Sequence, residues 1–241
     1  MLKLKFMPDR TRRVYQALAK EPLKKGFILI GGTALSIQMG HRLSEDLNFW
    51  LPAASLSKNR IDTVLSKLGT QNFHHEIVTP AWKISQARIN GIDLLSQSRD
   101  HVIDGVKVTF FACDDVPYRH FAGMKKIEGK AKFDIAHQDT LFNMKSWLIS
   151  QRVRSRDLFD LMVLLQHGRT IHGILDTGVQ ADPAYQHKYA KNVMVGNVPL
   201  DTDDEGFDST GLELTTEDIH PFFLAAVNET ASFLSWWCLD V

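Results

Sequence analysis

The stretch from Phe27 to Leu51, FILIGGTALSIQMGHRLSEDLNFWL, constrains the fold more than any other part of the chain. Phe27 to Ile30 is a continuous apolar run with the character of a buried strand. Gly31 and Gly32 carry no Cβ, so the backbone can turn tightly there and come close to a ligand. Thr33 then stands near the start of a helix containing Ala34, Leu35, Ile37 and Met39, and free amides at a helix start favour phosphate. Asp46 and Asn48 alternate with Leu47 and Phe49, which places both on one face of a second strand. Two oxygen-bearing side chains on one face suit Mg²⁺, which takes oxygen ligands and substrate phosphates. A strand, a glycine turn, a helix and a strand in this order can therefore hold a nucleoside triphosphate and a metal ion. The plainer alternatives are a tight turn at Gly31-Gly32 and an Asp46 that caps a helix or bridges an arginine.

The remaining pattern predicts an α+β protein. Residues 9 to 21 read as a helix, and Ile61, Val64, Leu65 and Leu68 have helical spacing. Phe73 to Val78, Trp82 to Ile89 and Ile92 to Ser96 read as strands, with Asn90-Gly91 as a hairpin turn. Val106 to Phe111 reads as a further strand, paired with a short one near His101 to Ile103. A mixed sheet flanked by helices is thus expected through about residue 115, and a mainly helical region from 116 to 241. In the latter, Ile135-Ala136 and Leu141 to Ile149 read as one helix and Asp157 to Gln166 as the next. Residues 170 to 210 read as two short helices and a long irregular segment. Thr215 precedes Glu217-Asp218 as a helix start, and the last helix carries Phe222, Phe223, Ala226, Phe233 and Trp236.

Composition narrows the class. Of 241 residues, 44% are hydrophobic and 23% charged, as in globular proteins. The formal net charge is +0, so the whole molecule gives no electrostatic argument for nucleic acid or membrane. No run approaches the roughly 18 apolar residues of a membrane span. Cys113 and Cys238 are the only cysteines; they cannot make a zinc site alone, and an intracellular, cytoplasmic setting is expected. Charge is nevertheless uneven. Ten Lys/Arg and five Asp/Glu lie between Lys107 and Arg156, whereas Asp201, Asp203, Asp204, Glu205 and Asp208 form an acidic cluster. The basic window either faces a triphosphate or RNA, or is a solvated mixed surface.

A second block carries chemistry: Met144-Lys145, then Arg152, then Arg156-Asp157-Leu158-Phe159-Asp160-Leu161. Asp157 and Asp160 are three apart and share a helical face. They either pair with Arg154 and Arg156 or help position Lys145. A lysine on a core-flanking helix ordinarily reaches out to water.

Gly-Gly followed by Asp-x-Asn resembles the mark of the polymerase-beta-like nucleotidyltransferases. More narrowly, Gly31-Gly32-Thr33-Ala34-Leu35, then Gly40-His41-Arg42, then Ser44, Asp46 and Phe49 resemble the AbiEii/AbiGii toxins of bacterial toxin–antitoxin and phage-defence systems. The Met144 to Leu161 block is similar to that family's second block, in the same order, and the resemblance spans roughly residues 10 to 170. It implies a nucleotidyltransferase-like mixed sheet followed by a helical C-terminal region. It also implies nucleotidyl transfer from an NTP to an RNA or protein acceptor, with an antitoxin protein as partner. By the same resemblance, Gly31, Gly32, Thr33, Lys145 and Arg156 bind the nucleotide, and Asp46, Lys145, Asp157 and Asp160 are catalytic. Asp46 and Asn48 hold Mg²⁺ (or Mn²⁺).

The chain departs from the family at Asn48, where a second metal-binding Asp is expected. An amide offers one neutral oxygen in place of a carboxylate, so metal affinity should fall. Thr109 falls at the expected position of a third carboxylate, with Asp93 as another source. The alternative is therefore a degenerate fold that binds nucleotide, RNA or protein without transfer.

Overall fold

The computed structural model describes residues 2–21, 23, 26–127 and 131–237, with side chains through residue 229. Cys238 and the side chains of Phe233, Trp236 and Trp237 lie outside that description. The chain forms two compact units, Met1–Leu141 and Phe142–Val241.

The first unit is built on a seven-stranded mixed sheet. Its strands are β1 (Ile28–Ile30), β2 (Leu47–Leu51), β3 (His75–Ile77), β4 (Ser98–Ile103), β5 (Val106–Ala112), β6 (Lys126–Ile127) and β7 (Asp134–Ala136). They lie in the order β3-β4-β5-β2-β1-β7-β6. β2 is antiparallel to β1 and parallel to β5, and β4 and β5 form an antiparallel pair. Helices α1 (Asp9–Leu18), α2 (Gly31–Met39), α3 (Lys58–Thr70), α4 (Ala81–Ile89), α5 (Leu94–Gln97) and α6 (Val116–Ala122) complete the unit, and α7 (Gln138–Leu148) crosses the division.

Strand alternation decides which face is core. On β5, Val106, Val108, Phe110 and Ala112 are buried, while Lys107 is exposed and Thr109 and Phe111 are half-buried. Leu47 and Phe49 on β2 continue the buried face. Phe49 stacks on Phe110 with ring centroids 5.4 Å apart and meets Phe133 edge-on at 4.9 Å; Tyr15 of α1 meets Phe133 at 5.5 Å. α1 buries Val14, Tyr15, Ala17 and Leu18 along one stripe, and α3 buries Ile61, Val64, Leu65 and Leu68, the spacing of a helix with one apolar face.

Three sequence expectations are corrected. Trp82 to Ile89 is not a strand but α4, and it buries none of its residues. Its aromatic and β-branched positions look strand-like, and no buried stripe exists to give a helical period. Ile92 to Ser96 is not a strand either: α5 occupies Leu94–Gln97, and Asn90-Gly91 ends α4, with Gly91 at φ +74°, instead of turning a hairpin. Finally, the sheet does not stop near 115. Ile135 and Ala136 belong to β7, parallel to β1, and the helix begins only at Gln138. A three-residue strand running straight into a helix leaves a continuous apolar pattern with no period to separate them.

The second unit is helical: α8 (Ser155–Gln166), α9 (Ile171–Ala181), α10 (His187–Met194) and α11 (Thr216–Trp237). The segment from 195 to 215 is irregular except for a 3₁₀ turn at Asp208–Thr210. As expected, Thr215 starts α11: its amide and hydroxyl both donate to Asp218 Oδ2, at 2.8 and 3.0 Å.

Candidate functional site

The glycine elbow lies at the end of β1. Gly31 has φ +79°, a left-handed conformation that favours glycine. A Cβ on Gly31 would stand 3.2 Å from Asn48 Nδ2, and a Cβ on Gly32 would run into the Arg42 guanidinium. Asn48 pairs with Ile30 across β1 and β2, so elbow and amide are neighbours by strand register. Thr33 Oγ1 sits 2.8 Å from Ser44 Oγ and donates to the Asp46 carbonyl, tying the first turn of α2 to the segment before β2. No side chain caps the start of α2, which leaves its first amides directed at whatever occupies the elbow.

Asp46 is half-buried and lines a cavity of about 300 Å³. The cavity is also bounded by Pro8, Arg10, Thr11 and Glu45, and by Val102, Gly105, Val106 and Lys107 around the β4–β5 turn. Along the sheet, Asn48 is paired with Thr109 of β5, and Thr109 with Asp100 of β4. Thr109 Oγ1 donates to Asp100 Oδ1 at 2.7 Å. A polar row of Asn48, Thr109 and Asp100 thus crosses three strands on one face.

Asp100 is a residue the sequence reading missed. The alternation Ser98-Arg99-Asp100-His101-Val102-Ile103 is a strand signal, but only its last three residues read as one. Asp93, the other source considered for a third carboxylate, sits at the N-cap of α5 and not on a strand. Among the described residues, no three His, Cys, Asp or Glu side chains gather where they could hold a metal. Asp46 and Asn48 offer one carboxylate and one neutral amide oxygen, a donor set that would suit one hard cation whose shell is completed by water and phosphate oxygens. They do not supply a second protein-held ion.

In the second unit, Lys145, Asp157 and Asp160 come together. Lys145 Nζ is 2.6 Å from Asp157 Oδ1 and 2.7 Å from Asp160 Oδ2. Arg152 closes the cluster, 2.7 Å from Asp157 Oδ2. Two positive and two negative charges cancel, which is the condition under which such groups tolerate burial. Lys145 therefore does not reach out to water; it is 4% exposed. Burial pushes the Asp157 carboxyl up, but Lys145 and Arg152 outweigh it and hold the group at about 2.

The arginines expected to pair with Asp157 and Asp160 go elsewhere. Arg154 binds Asp201 and Asp203, and Arg156 binds Glu205 at 2.8 Å, the Gly206 carbonyl at 2.7 Å and Ser209 at 3.0 Å. It is Arg152, one turn earlier and outside α8, that takes Asp157.

Residues 12–225 match the sequence profile of the family described as nucleotidyl transferase AbiEii toxin, type IV toxin–antitoxin system. The chain belongs to the AbiEii toxin family. Within that match lie the Gly31–Asn48 corner and the Lys145–Asp157–Asp160 cluster. A stretch of 147 residues is 30% identical to an uncharacterised protein of Aquifex aeolicus strain VF5, and the match spans 59% of this AbiEii-family chain and 59% of that relative. In backbone path the chain is similar to JHP933 from Helicobacter pylori, with TM-score 0.47 and 17% identity, covering 95% of this chain and 94% of that one. It is similar also to the MenT4 nucleotidyltransferase toxin of Mycobacterium tuberculosis H37Rv, with TM-score 0.47 and 12% identity, covering 90% and 83%. No helix among the described residues is long and apolar enough to cross a membrane.

Proposed function

We propose that this AbiEii-family chain transfers a nucleotidyl group from an NTP to an acceptor hydroxyl, acting as the toxin of a toxin–antitoxin pair. The observation that carries the reading is the closeness of the Gly31 elbow to the Asn48 amide, two residues after an Asp46 that lines a cavity of its own. The amides of Gly32 and Thr33 at the uncapped start of α2 bind phosphate. Asp46, with the amide oxygen of Asn48, would hold Mg²⁺ (or Mn²⁺), which would supply charge to offset that developing on the transferring phosphoryl group. Within the second unit, Asp157 and Asp160 keep Lys145 charged and oriented. In the transfer itself, the acceptor oxygen bonds to the α-phosphorus and the α–β bridging bond breaks. The electron pair leaves with pyrophosphate, and the hydroxyl proton passes to water.

Incubation with α-labelled NTP, Mg²⁺ or Mn²⁺ and total cellular RNA tests this. Label enters RNA or protein, and Asp46→Asn lowers the rate at least about a hundredfold. Asn48→Asp restores a second carboxylate and tightens the metal–nucleotide complex by about tenfold, read as a larger nucleotide-induced rise in melting temperature. No transfer by the native chain, and none by Asn48→Asp, removes the enzyme. Asn48 favours one second reading, a module that binds nucleotide without turnover. Nucleotide affinity indifferent to Mg²⁺ would establish it.

A further inference from the structure

The two edges of the sheet are not alike. β6, at one edge, is two residues long and carries the exposed Lys126, and a charged side chain, lysine above all, discourages another strand from pairing there. β3, at the other edge, has no lysine and no proline. Pairing with β4 uses only half of its backbone. The Val78 amide donates to the Asp100 carbonyl and the Asp104 amide to the His74 carbonyl, both at 2.9 Å, and Glu76 is registered with Val102 between them. Bonded residues alternate along an antiparallel pair, so His75 and Ile77 turn their amides and carbonyls outward. Neither backbone has a partner on that side among the described residues.

Apolar surface gathers at the same edge. Of the eight large apolar side chains exposed among the described residues, five lie between 77 and 92: Ile77, Val78, Trp82, Ile89 and Ile92. α4, joined to β3 by Thr79-Pro80, buries none of its residues and holds Trp82 just beyond the strand's end. Glu76 stands among these groups, exposed and without an ion-pair partner among the described residues. Outward donors and acceptors bordered by apolar side chains are the layout onto which an extended segment adds as a strand.

Charge and hydrogen bonding select the occupant. A lipid surface would leave the outward amides and carbonyls unbonded, which is costly in an apolar medium. A nucleic-acid strand would bring its phosphates against Glu76. A second copy of this chain, bonded through the same edge with His75 across from Ile77, would set Glu76 directly opposite Glu76, and like charges so placed are destabilising. An opposite charge there is favourable.

We propose that the β3 edge is a docking site for an extended segment of another protein, which adds as a further strand and sets a lysine or arginine opposite Glu76, beside apolar residues that cover Ile77 and Val78. This surface stands independently of the transferase reading.

The test selects displayed random peptides on the full native chain, with counter-selection against Ile77→Pro. That variant removes an outward amide that β4 does not use, and proline is tolerated on an edge strand where its nitrogen faces solvent. Peptides enriched on the native chain should carry a lysine or arginine next to apolar residues. Synthetic copies, followed by fluorescence anisotropy, should bind Ile77→Pro about tenfold more weakly. Glu76→Lys should weaken them about fivefold and favour copies with glutamate in place of the basic residue. Hydrogen exchange on the complex should protect the amides of His75 and Ile77 and leave that of Glu76, already paired with β4, as it was. Ile77→Lys serves as a second variant that keeps the backbone and adds a guarding charge, with melting temperature confirming that both variants fold. No enrichment over Ile77→Pro, or enriched peptides without a basic residue, overturns the proposal. So does a native chain that sediments as a dimer while Ile77→Lys sediments as a monomer, which gives the edge to a second copy. Binding to anionic vesicles that Trp82→Ser abolishes overturns it as well.

Discussion

His101 is fully buried on β4, and neither ring nitrogen has a hydrogen-bond partner among the described residues. Its ring meets Phe110 edge-on at 6.1 Å, so it behaves as an aromatic core residue. Burial, with Arg99 nearby, lowers its pKa to about 4. The unfolded chain takes up this proton near 6.5 and the folded chain only near 4, so stability falls as pH drops through that window, by about 3 kcal/mol in total. Asp157 acts lower on the scale. Its folded pKa of about 2 lies below the unfolded 3.8, so its contribution is complete above pH 4 and disappears toward pH 2, about 2 kcal/mol. Urea melts from pH 7 to pH 2 should show two separate declines. His101→Leu should abolish the upper one and leave the lower, while Asp157→Asn should do the reverse and cost about 3 kcal/mol at neutral pH by removing one of the two carboxylates that hold the buried Lys145. The proximity of Lys145 to these carboxylates is legible from their spacing on successive helices. The choice of Arg152 over Arg154 and Arg156 is not, because it depends on a segment some fifty residues downstream that draws the other two away.

At the level of elements, the β1–α2–β2 corner is the part of the fold most readable in sequence. An apolar run, two glycines and an alternating strand each limit the backbone locally, and register then brings Asn48 to Gly31 without further instruction. Gly31→Ala forces a side chain into φ +79° against the Asn48 amide and should cost about 1–2 kcal/mol. Gly32→Ala displaces the Arg42 guanidinium. Both should reduce the nucleotide-induced rise in melting temperature well beyond their effect on the free protein, and an undiminished rise would mean the phosphates bind elsewhere. Cross-strand facts were beyond the reach of local pattern. Asp100 joins Asn48 only through the β2–β5–β4 register, and Arg10 of α1 comes beside Gly105 of the β4–β5 turn only through tertiary packing. α4 escapes the pattern for the opposite reason. Trp82 and Ile89 are 63% and 85% exposed, so the hydrophobic pattern there reports no burial at all.

Over the whole chain, the formal net charge of +0 conceals a division of labour within the second unit. Asp201 accepts from the Val153 amide and pairs with Arg154, Asp204 Oδ1 accepts from the Ser155 amide at 3.1 Å, and Glu205 pairs with Arg156. The acidic segment thus supplies from a distance the N-terminal cap that α8 lacks in its own sequence. It also neutralises two arginines of the basic window between Lys107 and Arg156. Replacing Asp201, Asp203, Asp204 and Glu205 by their amides moves the formal net charge from +0 to +4. Two consequences of opposite sign follow. The lost cap should lower stability by about 1–2 kcal/mol, the exposed pairs adding little more. The uncovered arginines should raise non-specific RNA affinity, steeply at low salt and hardly at all near 0.5 M, roughly where charges more than a few ångströms apart are screened. Calorimetry and a salt series of RNA binding on the same four-fold variant measure both. Lower stability with unchanged RNA affinity would show that the segment caps α8 and does nothing else; unchanged stability would remove even that role.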